Sequence, residues 1–268
     1  MDPIFHYTCL IITGACTGLL SGFFGVGGGF LLTPVQYWLH TAGGMDCTLA
    51  TRIAFGTSLA VIVPTMICGA IAHHAKGTVN WTAAIQMGIA AILGGFTGGA
   101  LTTHLPGNLP RAVFAVLIIL TAIMMVWHLN ECKVYRIRDS AYTYLLLGFC
   151  IGLLSGLSGI GGGIILVPVL VILLGYPIHN AAGTSAATLI FSSIGAATAY
   201  ISMGLGAANL PPFTIGYVDI LAFGLLAVTT VPLARWGVKY AHKCTARNLQ
   251  RFFAGLLLVI GALMLITQ

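Results

Sequence analysis

The sequence predicts an all-α polytopic membrane protein made of two inverted-topology repeats. Each repeat is a broken, re-entrant helical hairpin followed by three transmembrane helices. Three observations predict it. Hydrophobic residues make up 58% of the chain and charged residues only 6%, against about 25% charged in a soluble domain; at about 20 residues per crossing the apolar runs suffice for about eight to ten membrane segments. A stretch running from Gly18 to Pro34 returns from Gly152 to Pro168, at an offset of 134 residues. The basic residues gather in a few loops, which fixes how the two copies are oriented. The net charge of +6 therefore reports topology and gives no reason to expect a nucleic-acid partner.

The elements follow in the same order in each half. Residues 8–24 form the first helix, interrupted by glycines before a short arm at 30–39, and helices at 49–75, 78–102 and 109–129 complete the first repeat. The second repeat reads 141–157, a break, 164–174, 180–203, 215–240 and 248–266. The domain division is thus 1–130, a basic linker at 131–140 and 141–268. Further matches support the duplication: Gly56-Thr57-Ser58 with Gly183-Thr184-Ser185, Gly77 to Asn80 with Gly216 to Asp219, and Arg111 with Arg251. The first apolar run lacks a basic leader and cleavage site, so it is read as permanent structure.

The linker carries Lys133, Arg136 and Arg138, and a loop spanning 235–251 carries Arg235, Lys239, Lys243, Arg247 and Arg251. The positive-inside rule puts both in the cytoplasm. The loop matching 235–251 in the first repeat, 102–111, holds one Arg and lies one crossing away from the linker, hence outside. Equivalent loops on opposite sides mean inverted repeats, the design used for alternating access. Three full helices after each break then require the broken run to enter and leave on one side. Both termini are expected outside the cytoplasm, in a cell or inner membrane.

A glycine turn inside a bilayer frees backbone N–H groups, which only protein, water or ligand can satisfy. The positive end of the short arm's dipole adds to them, and together they suit an anion. The turns Gly27-Gly28-Gly29 and Gly161-Gly162-Gly163 are therefore the candidate site, expected face to face with one anion between them; the competing reading is close helix packing. Pro34 and Pro168 are expected near the start of the short arms, where a missing N–H matters least. Ser21 with Ser155, and Thr57 and Ser58 with Thr184 and Ser185, supply matched hydroxyl donors. Arg52 and its counterpart His179 are candidates for gating or coupling, as are Asp219 and its counterpart Asn80, with Asp219 also suiting a helix cap. Phe23, Phe24 and Leu157 are expected to wall the pocket. His73 and His74 read as interface residues, and the cysteines, Cys16 and Cys150 among them, as packing residues. Neither a metal nor a cofactor is expected beyond a coupling ion, H⁺ or Na⁺.

These residues resemble the sulfite exporter TauE/SafE family of membrane permeases. The resemblance rests on the paired Gly-Leu-Leu-Ser-Gly, Gly-Gly-Gly and Pro motifs, followed in each half by Gly-Thr-Ser and by Gly-Thr-Val-Asn or Gly-Tyr-Val-Asp. It covers nearly the whole chain and implies transport of sulfur-containing oxyanions or organosulfonates such as sulfite or sulfoacetate. The two copies differ at Phe23-Phe24 against Leu157-Ser158 and at Thr33 against Val167. Two other readings remain: a passive anion channel, and an intramembrane serine protease with Ser158 in a Gly-x-Ser-Gly pattern and His179 as base.

Overall fold

The computed structural model describes residues 3–130, 140–207, 209–243, 245, 251–252, 255–256 and 258–259. The linker and the expected last helix lie largely outside these residues. Nine helices are described: α1 (Pro3–Phe24), α2 (Gly29–Ala42), α3 (Cys47–His74), α4 (Trp81–His104), α5 (Asn108–Asn130), α6 (Ala141–Ser158), α7 (Gly163–Ile172), α8 (Ile178–Gly204) and α9 (Ile220–Ala241). Among the described residues, α3, α4, α6, α8, α9 and most of α1 are long and apolar enough to cross a membrane, which with the composition makes this an integral membrane protein.

Caps set the helix starts, and they explain where the sequence-based boundaries slipped. Asp46 accepts the N–H groups of Thr48 and Leu49 and starts α3; Asn80 accepts that of Ala83 and starts α4 three residues later than expected. Asp219 accepts from Leu221 and Ala222, so α9 begins at Ile220 and not near Ile215. The intervening residues form a small antiparallel hairpin, β1 (Thr214–Ile215) with β2 (Val218–Asp219). Gly216 turns it at φ 56°, where a β-carbon would lie 2.2 Å from the Ile201 carbonyl oxygen. Arg235 and Lys239, expected in a loop, sit on the last turns of α9.

Packing is reciprocal between the halves. Helix α1 lies along α9 and α6 lies along α4. Each contact is made by a matched stripe of glycines: Gly14, Gly18 and Gly22 meet Thr229, Thr230 and Ala234, and Gly148, Gly152 and Gly156 meet Met87, Ala91 and Gly95. Glycines four apart share one helix face, and without side chains they let the backbones touch. Rising numbers on one helix meet rising numbers on the other, so both pairs run parallel. Helices α3 and α8 pack together between these pairs and form the centre.

Cys16 lies two residues from Gly14 and Gly18, on the opposite face of α1. It is exposed there, as is Cys150 on α6, so both look away from the packed stripes rather than into them. This corrects the packing role expected of them. His73 also departs from expectation: it is fully buried and its Nε2 lies 3.3 Å from the Gly22 carbonyl of α1, whereas His74 is exposed.

Candidate functional site

The two glycine turns have the same backbone geometry. Gly25, Gly27 and Gly28 have φ of 67°, 82° and 78°; Gly159, Gly161 and Gly162 have 68°, 87° and 80°. These left-handed values are why the positions are glycine: they end α1 and α6 abruptly and turn the chain back into α2 and α7. All residues of both turns are buried. Gly28 and Gly162 cap the short helices with their carbonyls, which accept from Leu31 and Leu32 and from Ile165 and Leu166. Pro34 and Pro168 fall in the second turn of those helices, later than expected, so the carbonyls of Phe30 and Ile164 lose their usual donors.

The turns do meet face to face. A β-carbon on Gly29 would sit 2.4 Å from the Ile160 carbonyl oxygen, and one on Gly163 would sit 2.5 Å from the Val26 α-carbon. Such contact leaves no room there even for a methyl group, so the expected space for an anion directly between the turns is closed in this conformation. Ile62 of α3 and Leu189 of α8, a matched pair at the Gly-Thr-Ser offset, seal the sides. Ile62 reaches Gly27 and Gly161, and Leu189 reaches Gly27 and Gly163. Thr33 ties the halves further by donating to the Gly159 carbonyl at 3.1 Å, a bond its counterpart Val167 lacks the group to make.

Around this closed centre lies a set of buried polar groups without partners. Among the described residues, the amides of residues 26–30 and 160–164 make no hydrogen bond. The hydroxyls of Thr17, Ser21, Ser155, Ser185 and Ser193 and the Gln36 carbonyl are likewise buried and unpaired. Ser21 and Thr17 flank Gly28, Ser155 flanks Gly162, and Ser193 lies beside Gly161. Each buried group left unpaired costs about 1–3 kcal/mol, so water, ligand or a rearranged protein group must satisfy such a cluster. Of these, Gln36, Thr17 and Ser193 escaped the sequence reading because none has a polar counterpart in the other half. Gln36 had a usable signal: an amide in the middle of an apolar arm. Its Nε2 donates to Ser58 Oγ at 2.9 Å, which leaves the Ser58 hydrogen free to point elsewhere.

The remaining candidates divide by location. Thr57 accepts the Asp219 N–H at 2.9 Å and Thr184 accepts the Asn80 N–H at 3.1 Å, so each hydroxyl anchors the start of a helix from the opposite half. Thr57→Val and Thr184→Val will each lower stability by about 1 kcal/mol. Thermal unfolding in detergent reads this, and an unchanged midpoint for both would refute the anchoring. Arg52 lies at the end where α3 begins, bonded to Tyr217 Oη at 3.3 Å. Its counterpart His179 lies at the other end, stacked 5.0 Å from His242. Burial, then His179 and Lys76, hold the His242 imidazole below its ordinary range. Arg52 and His179 are thus not brought together, and neither reaches the turns by any bond among the described residues. Phe24 is buried near the same end as His242, stacked on Phe252, while the Leu157 carbonyl lies 3.3 Å from Thr102 Oγ1. Ser158 donates to the Leu154 carbonyl at 2.6 Å, and no hydrogen bond joins it to His179 among the described residues. The protease reading gains nothing from this arrangement.

Comparison with known proteins agrees on one class. The chain is 30% identical over 260 residues to a "Probable membrane transporter protein" of Methanocaldococcus jannaschii, covering 96% of this chain and 94% of that one. It is 30% identical over 257 residues to a protein of the same description from Haemophilus influenzae, covering 96% and 97%. A third relative so described, from Bacillus subtilis, is 28% identical over 87% of this chain and 89% of its own. No solved structure matches significantly. The pattern of one family, described as sulfite exporter TauE/SafE, matches residues 10–264, nearly all of the sequence. With both glycine turns inside the matched span, the chain belongs to the sulfite exporter TauE/SafE family.

Proposed function

We propose that the protein is a secondary transporter that moves small sulfur-containing oxyanions or organosulfonates, such as sulfite or sulfoacetate, by alternating access. The observation that carries this reading is the ring of unpaired amides and hydroxyls around two matched, buried glycine turns. Turn amides at the start of α2 and α7, with the positive ends of those helices behind them, favour an oxyanion without any buried cation. Gly27, Gly28, Gly29, Gly161, Gly162 and Gly163 supply the amides in this reading, and Ser21, Ser155, Ser58 and Ser185 supply hydroxyl donors. Because the turns are closed on each other, the anion enters when they part, and Ile62 and Leu189 must move with them. Thr57 and Thr184 act as the cross-half anchors of that motion, and Asn80 and Asp219 as the helix starts they hold.

The arrangement that supports this motion is inverted repetition of residues 1–130 and 141–268. Lys76, His242 and Lys243 share one end of the molecule, which the positive-inside rule assigns to the cytoplasm. Helix α1 runs parallel to α9, which finishes at that end, so α1 starts at the other and the N-terminus is outside. Transport draws on a proton or sodium gradient across the lipid bilayer. The test is sulfite uptake into proteoliposomes under imposed proton or sodium gradients. Accumulation beyond equilibrium that collapses with one gradient is expected. Flux that follows the sulfite gradient alone would make the protein a passive channel and overturn the reading.

A further inference from the structure

We propose that the cavity beside Arg52 is an outer docking site for a monoanionic head group, a sulfonate or carboxylate, that feeds the transport site. This rests on the transport reading and adds a second, peripheral site to it. The cavity has a volume of about 620 Å³ and is lined by Met45, Asp46, Thr48, Arg52, Asn209 and Tyr217, among others. It therefore brings together the loop before α3, the first turns of α3 and the segment that follows α8.

Arg52 is held but not neutralised. One terminal nitrogen donates to Tyr217 Oη at 3.3 Å and the other to the Leu105 carbonyl at 3.4 Å, both long contacts, and the guanidinium stands 5.6 Å from the centre of the Tyr217 ring. Its Nε is buried and has no partner. A guanidinium stays charged at any physiological pH and presents its donors as a planar fork suited to oxyanions. Among the described residues it makes no ion pair. A half-buried cation without an ion pair at the wall of an open cavity, its terminal nitrogens each keeping a further N–H to give, is a site for an anion. The Tyr217 hydroxyl, having accepted from Arg52, has its own hydrogen to give, and Asn209, a residue with an amide side chain, also lines the cavity.

Asp46 sets the charge limit. Its Oδ2 is committed to the N–H groups of Thr48 and Leu49, so the carboxylate is fixed at the start of α3 and lines the cavity. Its negative charge opposes a second negative charge on the ligand, which favours a monoanion over a dianion. The volume exceeds what a bare oxyanion fills and admits a small organic sulfonate. In the second half the position of Arg52 is taken by His179, which is stacked on His242. Among the described residues, the guanidinium of this docking site is therefore found at the end where α1 starts and not at the matching position in the second half.

The experiment pairs equilibrium binding with uptake, using the full chain purified in detergent and reconstituted in liposomes. Ethanesulfonate is the monoanionic probe and sulfate the dianionic one. Arg52→Gln will weaken ethanesulfonate binding by about tenfold or more and raise the KM for sulfite similarly, with Vmax held, and Arg52→Lys will recover part of the loss. Asp46→Asn keeps the helix cap and will narrow the preference for ethanesulfonate over sulfate. Asn209→Gly suits the left-handed backbone there, φ 62°, leaves Arg52 untouched and will weaken ethanesulfonate binding; it stands in if Arg52→Gln misfolds. Unchanged binding and KM in Arg52→Gln, or a fall in Vmax alone, would overturn the docking site while leaving the transporter reading intact. Binding of ethanesulfonate that depends on Arg52, in a protein that moves no sulfite, would keep the docking site and sink the transporter reading.

Discussion

Gly29→Ala will abolish sulfite transport while leaving the chain in the membrane. The added β-carbon would lie 2.4, 2.7 and 2.8 Å from the carbonyl oxygen, carbonyl carbon and α-carbon of Ile160. These are backbone atoms of a buried turn and have no rotamer by which to yield. Gly29 is not among the glycines at positive φ, so the effect is pure contact and not conformational strain. Overpacking of this kind costs about 1–3 kcal/mol, and here it acts on the contact between the two turns. Gly163→Ala, pressed on Val26 from the other half, will do the same. Uptake by membranes matched for protein amount reads the result. Near wild-type rates for both variants would show that the turn contact plays no part in transport.

Gly152→Leu will fail earlier, at folding. Its β-carbon would meet the Ala91 backbone at 2.4 Å, and a leucine there holds α6 off α4 along the whole glycine stripe. Because the packing between these helices joins the two halves, the loss exceeds about 3 kcal/mol and a monodisperse peak in detergent disappears. Gly224, within α9, has nothing within 4 Å of an added β-carbon. Gly224→Ala will leave the peak intact and raise stability by about 1 kcal/mol through helix propensity. A stable Gly152→Leu protein would remove the stripe from the account of the fold.

The difference between these glycines marks how much was legible in the sequence. Duplication wrote the turns twice, at one offset, and that is why the short arms and the meeting of the turns could be anticipated from residues alone. The boundaries of α4 and α9 slipped because a carboxylate or amide in an apolar run reads as a membrane polar group as well as a cap, and the bonds Asn80 accepts from Ala83 and Asp219 accepts from Leu221 and Ala222 are what fix the helix starts. Gln36 and Thr17 went unnoticed because comparison of the halves favours what is repeated, and both stand opposite apolar residues. Ile62 and Leu189 do repeat, but two aliphatic residues in apolar helices carry no chemical signal until they are seen against the turns. The closure of the turns rests on backbone contacts between Gly29 and Ile160 and between Gly163 and Val26, which no local pattern in the sequence spells out.

The most direct test of the central claim is sulfite binding to the purified protein, comparing the native chain with the double variant Ser21→Ala, Ser155→Ala. Both serines are fully buried and unpaired, beside the cap glycines of the two short helices. Each hydrogen bond to a charged group is worth about 1.5–3 kcal/mol, so losing both should weaken binding by about a hundredfold or more without unfolding the protein. Binding as tight in the double variant as in the native chain would contradict an anion site at the glycine turns.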